Sequence, residues 1–435
     1  MELKTPILQL ALDFLNLERA LKVAKEAVKA GVDWLEAGTP LIKSEGLDVL
    51  RALRKEFPKA TLVADVKTID VGRIEVEACA KAGADIVCVL GLASDSTLKE
   101  CVRAGKNYGA KIWVDLIEVK EEDLEKRAKD AEIIGADFIG VHTSIDEQMQ
   151  GKDPFLRLKK VVKAVNIPVG VAGGINSETV YQAVKSGASI IVVGGSITKA
   201  KSPFKEAKKI REALLKKKKI KSEFFKRVGF GEVEKILKKV STPNISDALH
   251  RSGEVKTLFP LFSGIKMAGK VLTVRTYPGD WAKPVEAVDL ADKGDILVID
   301  AGGQPPAVWG ELATHGALQK ELSGVVINGG VRDTKEIKRL KFPVFTKLIT
   351  PTAGEPKGLG EIGVPLVIEG VKIETGDYVV GDDDGLVVIP KNILIETTNR
   401  AMSILEQENR LREEIDQGST LAKVIELLRW EKRKG

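Results

Sequence analysis

A repeat of 52 residues constrains this chain more than any other feature of its sequence. A glycine opens a strand-like run at positions 31, 83, 135 and 187, each time after a helix-like stretch. A further strand-like run precedes each repeat. Parallel strands that alternate with helices form either a closed barrel or a doubly wound open sheet, so the pattern predicts an α/β fold. The regular spacing, with two βα units in each period, favours the closed (β/α)8 barrel.

Eight apolar runs are the predicted strands of this barrel. They cover residues 7–12, 34–36, 62–65, 86–90, 112–115, 138–142, 168–171 and 190–193. In such barrels catalytic groups lie at the carboxyl ends of the strands, and phosphate binds after strands 7 and 8. Polar residues at the strand ends are therefore the first candidates for a functional site.

Charged side chains occupy several of these strand ends. Asp65 and Lys67 end the third strand, where regular alternation puts them on the same side, and Asp70 follows just beyond it. The other candidates at strand ends are Asp13, Glu36 and His142. Two carboxylates around an ammonium group suit a metal ion or an anionic intermediate, and a surface ion-pair cluster is the alternative.

Paired glycines follow the last two predicted strands. Gly173 and Gly174 come after strand 7, and Gly194 and Gly195 come after strand 8. Without side chains, their backbone N–H groups can approach a phosphate closely, and a following helix N-terminus favours negative charge. The pattern predicts a phosphorylated substrate.

Several motifs of this half, taken in order, resemble one enzyme family. Leu10-Ala-Leu-Asp13, the segment 36–46 that begins with Glu36, the D-x-K-x-x-D motif of residues 65–70 and His142 are similar to the 3-hexulose-6-phosphate synthases, in the orotidine-monophosphate decarboxylase superfamily. The resemblance implies a TIM-barrel dimer in which Asp70 reaches into the neighbour's site. It also implies Mg²⁺, or Mn²⁺, held by Glu36 and Asp65.

The family's reaction gives each residue an expected role. Ribulose 5-phosphate loses a C1 proton, and the enediolate condenses with formaldehyde to give hex-3-ulose 6-phosphate, or the reaction runs in reverse to supply pentose phosphate. We expect Lys67 to stabilise the enediolate beside the metal, and His142 to transfer the proton. Asp70 would orient Lys67 or the substrate, and Asp13 would bind a hydroxyl. The isomerase that follows this synthase would be a separate protein.

A related family, the 3-keto-gulonate-6-phosphate decarboxylases, is the alternative for the barrel. Those enzymes carry an arginine three positions after the histidine and another in the last phosphate loop. This chain has Ile145 and Gly195 at the corresponding positions. The departures favour the synthase.

A basic stretch lies between the barrel and the second half of the chain. We therefore predict a barrel at residues 1–213, a linker at 214–227 and a second domain at 228–435. Residues 205–227 hold eleven Lys or Arg against three Glu, and this excess of positive charge is larger than the net charge of +6 for the whole chain. The two domains together are thus slightly acidic, which argues against a nucleic-acid partner. No apolar run reaches membrane-spanning length and the N-terminus lacks a signal pattern, so we expect a cytoplasmic protein.

Arg332 and Asp333 are the notable pair of the second half, since they follow an apolar strand and two glycines. A guanidinium can bind a carboxylate through two hydrogen bonds, and the adjacent aspartate can hold a divalent ion. A turn-capping aspartate beside a surface arginine is the alternative.

With residues 310–313 and a glycine-rich hairpin at 376–385, this pair resembles the family of regulator of ribonuclease activity A and the 4-hydroxy-4-methyl-2-oxoglutarate aldolases, which have an α/β fold. The resemblance implies that Arg332 binds the carboxylate of a 2-oxo acid and Asp333 a metal. The segment that would bind the rest of the acid is Gly310, Glu311, Leu312 and Ala313. Glu311 stands where the aldolases have Asp. Such sites form between subunits of a trimer or hexamer, and a non-catalytic ribonuclease regulator is the alternative.

Overall fold

The structure is a computed structural model that describes residues 6–222, 227 and 232–425. Two compact units are present: Met1–Arg227 together with Glu406–Gly435, and Val228–Leu405. The second unit therefore ends at Leu405 rather than at the predicted residue 435. Parts of the predicted linker and second domain, at 223–226, 228–231 and 426–435, lie outside the described residues.

The first unit contains a closed barrel of eight parallel strands. The strands are β1 (Ile7–Leu12), β2 (Trp34–Ala37), β3 (Thr61–Thr68), β4 (Ile86–Leu90), β5 (Lys111–Asp115), β6 (Phe138–His142), β7 (Val169–Ala172) and β8 (Ile190–Val193). Each strand pairs with its sequence neighbours, and β1 pairs with β8 from Ile7 opposite Ile190 onward. This closure confirms the barrel and excludes the doubly wound sheet.

Helices connect the strands and cover the outside of the barrel. They are α1 (Leu17–Lys29), α2 (Thr39–Glu45), α3 (Asp48–Glu56), α4 (Gly72–Lys81), α5 (Asp95–Tyr108), α6 (Leu124–Ile134), α7 (Ile145–Met149), α8 (Phe155–Ala164), α9 (Val180–Lys185), α10 (Gly195–Thr198) and α11 (Pro203–Leu215). In α1, the side chain of Asn16 accepts the Arg19 N–H, and Ala20, Val23 and Ala27 are buried at helical spacing. The polar residues of such helices face away from the barrel.

Strand β3 runs three residues beyond its predicted end at Asp65. Its register with β4 shifts between Ala64 and Thr68, and Lys67 has a φ of 54°. A non-glycine residue with positive φ is strained, and such strain concentrates where the chain aims a side chain at a functional site. The alternation expected between Asp65 and Lys67 is therefore replaced by a bulge.

The barrel interior is filled by aromatic and apolar side chains. Trp113 and Phe138 lie with their ring centroids 5.8 Å apart, and both are buried. Gly140 and Gly170 face Trp113 so closely that a Cβ added at either would overlap its indole ring. The indole ring of Trp113 thus occupies the space that side chains at residues 140 and 170 would need, which favours glycine at both positions.

We expect Gly170→Ala to destabilise the barrel by about 1–3 kcal/mol, because the new methyl overpacks a filled core. Chemical denaturation followed by circular dichroism measures this loss. The atoms in conflict belong to the six-membered ring of Trp113, which Trp113→Phe removes. The loss of unfolding free energy in the double variant should thus be smaller than the sum of the losses in the two single variants. Additive losses would show that the methyl added at residue 170 does not clash with Trp113.

The second unit is built on a ten-stranded sheet with the order β10-β15-β14-β12-β11-β19-β20-β9, to which β13 and β16 add through β14 and β11. The strands are β9 (Glu254–Val255), β10 (Phe259–Pro260), β11 (Met267–Arg275), β12 (Ile296–Asp300), β13 (Ala307–Trp309), β14 (Gly324–Val331), β15 (Val344–Ile349), β16 (Glu361–Ile362), β19 (Tyr378–Asp382) and β20 (Gly385–Ile389). A separate pair consists of β17 (Leu366–Ile368) and β18 (Val371–Ile373). The predicted hairpin is β19–β20.

The remaining helices are α12 (Val233–Leu237), α13 (Thr242–Ala248), α14 (Ala282–Leu290), α15 (Glu311–Gln319), α16 (Thr334–Leu340), α17 (Leu394–Asp416) and α18 (Leu421–Val424), with a 3-10 turn at Lys391–Ile393. Ser241 begins α13 with a capping box, in which the side chains of Ser241 and Asn244 each accept the other residue's backbone N–H. From Glu406 onward α17 belongs to the first unit. Within the described residues, no helix is both long and apolar enough to cross a membrane.

Candidate active site

A cavity of about 550 Å³ opens at the carboxyl ends of the barrel strands. It collects most of the residues that the sequence singles out in this half. The predicted residues that line it are Asp13, Glu36, Asp65, Lys67, His142, Gly173, Gly174, Gly194 and Gly195. Asp70 is exposed, is not among the lining residues, and accepts the N–H of Val71.

Lys67 lies between two carboxylates in this cavity. Its Nζ is 3.1 Å from Asp65 Oδ2 and 3.2 Å from Asp115 Oδ2. Burial alone would lower the pKa of Lys67, but the charges of Asp65 and Asp115 outweigh it and raise the pKa. The ammonium group is therefore fixed in its charged form inside the cavity.

Asp115 is a site residue that the sequence analysis missed. It is the last residue of β5, so the strand-end rule that selected its neighbours also applies to it. Burial would raise the pKa of Asp115, but the positive charges of His142 and Lys67 lower it to about 2. The carboxylate is thus ionised and can only accept hydrogen bonds.

His142 makes a hydrogen bond to this carboxylate, with Nδ1 3.1 Å from Asp115 Oδ2. Burial lowers the pKa of His142, but the Asp115 charge and hydrogen bond more than compensate and raise it above its ordinary value. Because the ionised Asp115 accepts, Nδ1 carries the proton and Nε2 of the neutral ring is left with its lone pair. This arrangement suits a group that takes and returns a proton.

The opposite part of the cavity is rich in carboxylates. Burial and the charges of Asp65 and Asp13 raise the pKa of Glu36 well above its ordinary value. The pKa of Asp13, which opens onto the cavity, is also raised, first by burial and then by Asp65. Mutual repulsion of this kind is relieved by a cation among the carboxylates.

Gln9 is another residue that the sequence analysis did not select. It donates from Nε2 to Glu36 Oε2 over 2.5 Å, and its buried Oε1 accepts no hydrogen bond within the described residues. Oxygen atoms of carboxylates and amides are the ligands that Mg²⁺ prefers. The donor set of Glu36, Asp65 and Gln9 therefore fits a hard divalent cation, although no three His, Cys, Asp or Glu side chains of the described chain are already grouped as ligands.

The first of the two glycine pairs has a left-handed backbone. Gly173 and Gly174 have φ of 105° and 68°, and a Cβ at Gly173 would lie 2.6 Å from the carbonyl oxygen of Thr143. A side chain at Gly173 is thus excluded by both backbone conformation and space. At Gly173 and Gly174 the cavity is therefore lined by backbone atoms without side chains.

The second unit has its own cavity, of about 140 Å³. Gly310, Leu312, Ala313, Arg332 and Asp333 line it, as the sequence predicts. The Glu311 side chain does not: it lies against His315, with 3.7 Å between Oε1 and Nε2, and only its N–H points to Asp333 Oδ2, at 3.1 Å. Glu311 begins α15, so its side chain follows the helix toward the residue one turn later.

Comparisons with known proteins find a family model that matches each half of the chain. Residues 6–210 match the family model described as orotidine 5'-phosphate decarboxylase / HUMPS family, and residues 242–388 match the model RraA-like, Aldolase/RraA. The 3-hexulose-6-phosphate synthase 2 of Staphylococcus saprophyticus is 42% identical over 206 residues, which are 47% of this chain and 95% of that protein. The 3-hexulose-6-phosphate synthase of Bacillus subtilis is 38% identical over 209 residues, 48% of this chain and 98% of that protein.

Solved structures that cover about a third of this chain are also similar to it. The RNA-processing inhibitor RraA from Thermus thermophilis is 29% identical, covers 35% of this chain and 93% of its own, and has a TM-score of 0.33. The two family models thus match separate parts of one chain, residues 6–210 and residues 242–388.

Proposed function

The chain belongs, through its N-terminal barrel, to the 3-hexulose-6-phosphate synthase family, and we propose that the barrel condenses D-ribulose 5-phosphate with formaldehyde to D-arabino-hex-3-ulose 6-phosphate. One observation carries the proposal: Glu36, Asp65, Lys67 and His142 line a single cavity. The cavity has room for a pentulose phosphate, and its charged groups suit an enediolate. The reverse reaction, which supplies pentose phosphate, uses the same groups.

The proposed reaction uses Mg²⁺, or Mn²⁺, held by Glu36 and Asp65. Burial, together with the charges of Asp65 and Asp13, raises the pKa of Glu36, and this and the Oε1 of Gln9, which accepts no hydrogen bond within the described residues, support a cation here. When bound, the ion supplies Lewis-acid stabilisation of negative charge on the substrate oxygens. Glu36 and Asp65 would hold the ion through their carboxylates, which are oxygen ligands of the kind that Mg²⁺ prefers.

His142 moves the proton in this mechanism. Its Nε2 removes the proton from C1 of ribulose 5-phosphate, while Asp115 holds Nδ1–H and stabilises the imidazolium. C1 then forms a carbon–carbon bond with formaldehyde, and the aldehyde oxygen takes the proton back from Nε2 as it becomes a hydroxyl. The proton lost from carbon is thus the one gained by oxygen.

Lys67 and Asp13 act on the same substrate. The Lys67 ammonium, fixed between Asp65 and Asp115, stabilises the charge that develops on the enediolate oxygens. Asp13 faces the cavity beside Gly194 and would accept a hydrogen bond from a substrate hydroxyl. The backbone at Gly173, Gly174, Gly194 and Gly195 would bind the phosphate.

A barrel dimer completes the proposal for the first unit. Asp70 lies outside its own cavity, and Ile69, Val71 and Ile74 beside it are 52%, 53% and 66% exposed. Apolar side chains clustered on a surface mark a contact with another protein. A second copy seated there would bring Asp70 to the neighbouring site, where it would orient Lys67 or the substrate.

The assay that tests the barrel follows formaldehyde consumption with ribulose 5-phosphate, with and without Mg²⁺, against release of CO₂ from 3-keto-gulonate 6-phosphate. We expect metal-dependent condensation and little decarboxylation. Faster decarboxylation would replace the synthase with the alternative. No turnover of either substrate would refute an active barrel.

For the second unit, which has an RraA-like fold, we propose action on a 2-oxo acid as an aldolase or oxaloacetate decarboxylase. Arg332 and Asp333 line its cavity together with the backbone at 310–313, which supports binding of a carboxylate beside a metal. A trimer or hexamer of this unit would complete the site. The position of the Glu311 side chain, turned toward His315, favours the second candidate, a non-catalytic ribonuclease regulator.

We expect the intact protein to release pyruvate from oxaloacetate or a 4-hydroxy-2-oxo acid when a divalent ion is present, and Arg332→Ala to lower that rate by about 10²-fold, since a charged hydrogen bond to the carboxylate is lost. The control is Arg275→Ala, an exposed arginine of the same unit that pairs with Glu361. Inhibition of a ribonuclease without any turnover would establish the regulator instead.

A further inference from the structure

Two cations in the barrel cavity have no role in the chemistry proposed above. Lys199, the residue after α10, and Arg227 both line the cavity. Neither lies at a strand end, and Arg227 lies beyond residues 6–210, the part that the family model matches. The end of the cavity near these residues also contains the glycine turn at Gly194 and Gly195.

Both cations are partly buried, and the charge of one affects the other. The Arg227 side chain is only 9% exposed. Burial and the nearby charge of Arg227 lower the pKa of Lys199, and burial lowers that of Arg227 although Glu406 opposes it. Two partly buried positive charges that repel one another are stabilised by an anion close to both.

Glu406, in the part of α17 that belongs to the first unit, holds Arg227 in place. The two side chains are 3.5 Å apart between Nη1 and Oε2, and Glu406 is 1% exposed. One turn later on the helix, Arg410 donates to the carbonyl oxygens of Ala200 and Lys201 over 3.4 and 3.2 Å. The end of α17 thus fixes both Arg227 and the turn that follows Lys199.

A phosphate group is the anion that this end of the cavity suits. The helix that begins at Gly195 has only four residues, so its dipole is small and a phosphate dianion needs charge from side chains. A guanidinium binds phosphate oxygens in pairs, and an ammonium adds a compact positive charge. Gly194 and Gly195 line the same cavity and add no side chain that would fill it.

We propose that Arg227 and Lys199 bind the phosphate group of the barrel's substrate, and that Glu406 is the positioning residue for Arg227. The inference rests on the proposed function for the identity of the sugar phosphate. It assigns part of the site to chain segments beyond the family's matched region, one following the barrel and one at the end of α17.

The test uses the full-length protein and the variant Arg227→Gln. We expect the KM for ribulose 5-phosphate and the inhibition constant of inorganic phosphate to rise about 10- to 100-fold, with kcat within about threefold, since a charged hydrogen-bonding partner of the phosphate is lost. Arg227→Lys should recover part of the loss. Glu406→Gln should raise KM less than Arg227→Gln, because the guanidinium stays but loses its support.

The matched control is Arg103→Gln, whose side chain is 72% exposed and pairs with Glu100 on α5. It should leave KM and the inhibition constant unchanged. If Arg227→Gln has a lower melting temperature but an unchanged KM and an unchanged inhibition constant of phosphate, Arg227 stabilises the fold without binding phosphate. That result would overturn the inference. If that variant does not fold, Lys199→Gln decides, and an unchanged KM there also overturns it.

Calorimetric binding of ribulose 5-phosphate separates this inference from the proposed function. A wild-type protein that binds the sugar phosphate but does not condense it with formaldehyde refutes the synthase, and weaker binding by Arg227→Gln would still support the phosphate site. A wild-type protein that condenses both substrates, with an unaffected Arg227→Gln, refutes the phosphate site alone.

Discussion

Replacing Lys67 with methionine should lower kcat/KM for the condensation by about 10³-fold, which is the upper part of the range for removing one group that stabilises an oxyanion. Methionine keeps most of the length of the side chain and removes its charge. The ammonium lies 3.1 Å from Asp65 and 3.2 Å from Asp115 in the wild type. Its loss therefore removes stabilisation of the enediolate. It also leaves the buried carboxylates of Asp65 and Asp115 without the positive charge that reduces their mutual repulsion.

The measurement pairs two rates. Formaldehyde consumption reports the whole reaction, and deuterium uptake at C1 of ribulose 5-phosphate in D₂O, without formaldehyde, reports enediolate formation alone. Both should fall if Lys67 stabilises the enediolate. Lys67→Arg keeps the charge and should retain more activity than Lys67→Met.

Lys81→Met is the matched control, because Lys81 pairs with Glu77 on the outside of α4 and its side chain is 63% exposed. It should change neither rate. Circular dichroism excludes misfolding of Lys67→Met. A folded Lys67→Met variant with kcat/KM within about threefold of wild type would contradict the assigned role.

The sequence predicts the barrel because the same strand and helix pattern recurs along the chain. The eight predicted strands coincide with β1–β8 to within a few residues, since both the apolar runs and the 52-residue period follow from the geometry of βα units. The bulge at Lys67 could not be read in this way. It depends on how β3 pairs with β4, which is a tertiary property.

Site residues were predictable where position along the chain implies position in space. Strand ends meet at one mouth, so Asp65 and His142 could be identified, and Asp115 could have been identified by the same rule. Arg227 and Glu406 could not. They meet across about 180 residues of intervening chain, and nothing in the local pattern of either segment indicates the other.

In the second unit, too, position along the chain predicts only part of the site. Its motifs correctly bring Arg332 and Asp333 to the cavity with the backbone of residues 310–313. Glu311, which stands where the aldolases have Asp, does not bring its side chain to that cavity. Its rotamer is decided by α15, on which His315 lies one turn further along, and a residue count does not contain that information.

Replacing His142 with glutamine should lower kcat by about 10²- to 10⁴-fold, the range for loss of a positioned general base. Deuterium uptake at C1 should fall by a similar factor, because it requires the same proton transfer. His315→Gln is the matched control, since His315 is half exposed on α15 in the second unit. Equal proton exchange in His142→Gln and wild type would assign the proton transfer to another residue.

The pH profile tests the partner of this base. In the proposed mechanism His142 acts in its neutral form. Because Asp115 raises the pKa of His142, wild-type activity should be lost as the pH falls through that raised pKa. Asp115→Asn keeps an acceptor for Nδ1–H but removes the negative charge, which lowers the pKa of His142. The acidic limb of kcat/KM should therefore move to lower pH while the maximum rate falls, because the imidazolium loses its stabilising charge. An acidic limb at the same pH in both proteins would mean that another group limits the reaction, and a limb moved to higher pH would contradict the electrostatic argument itself.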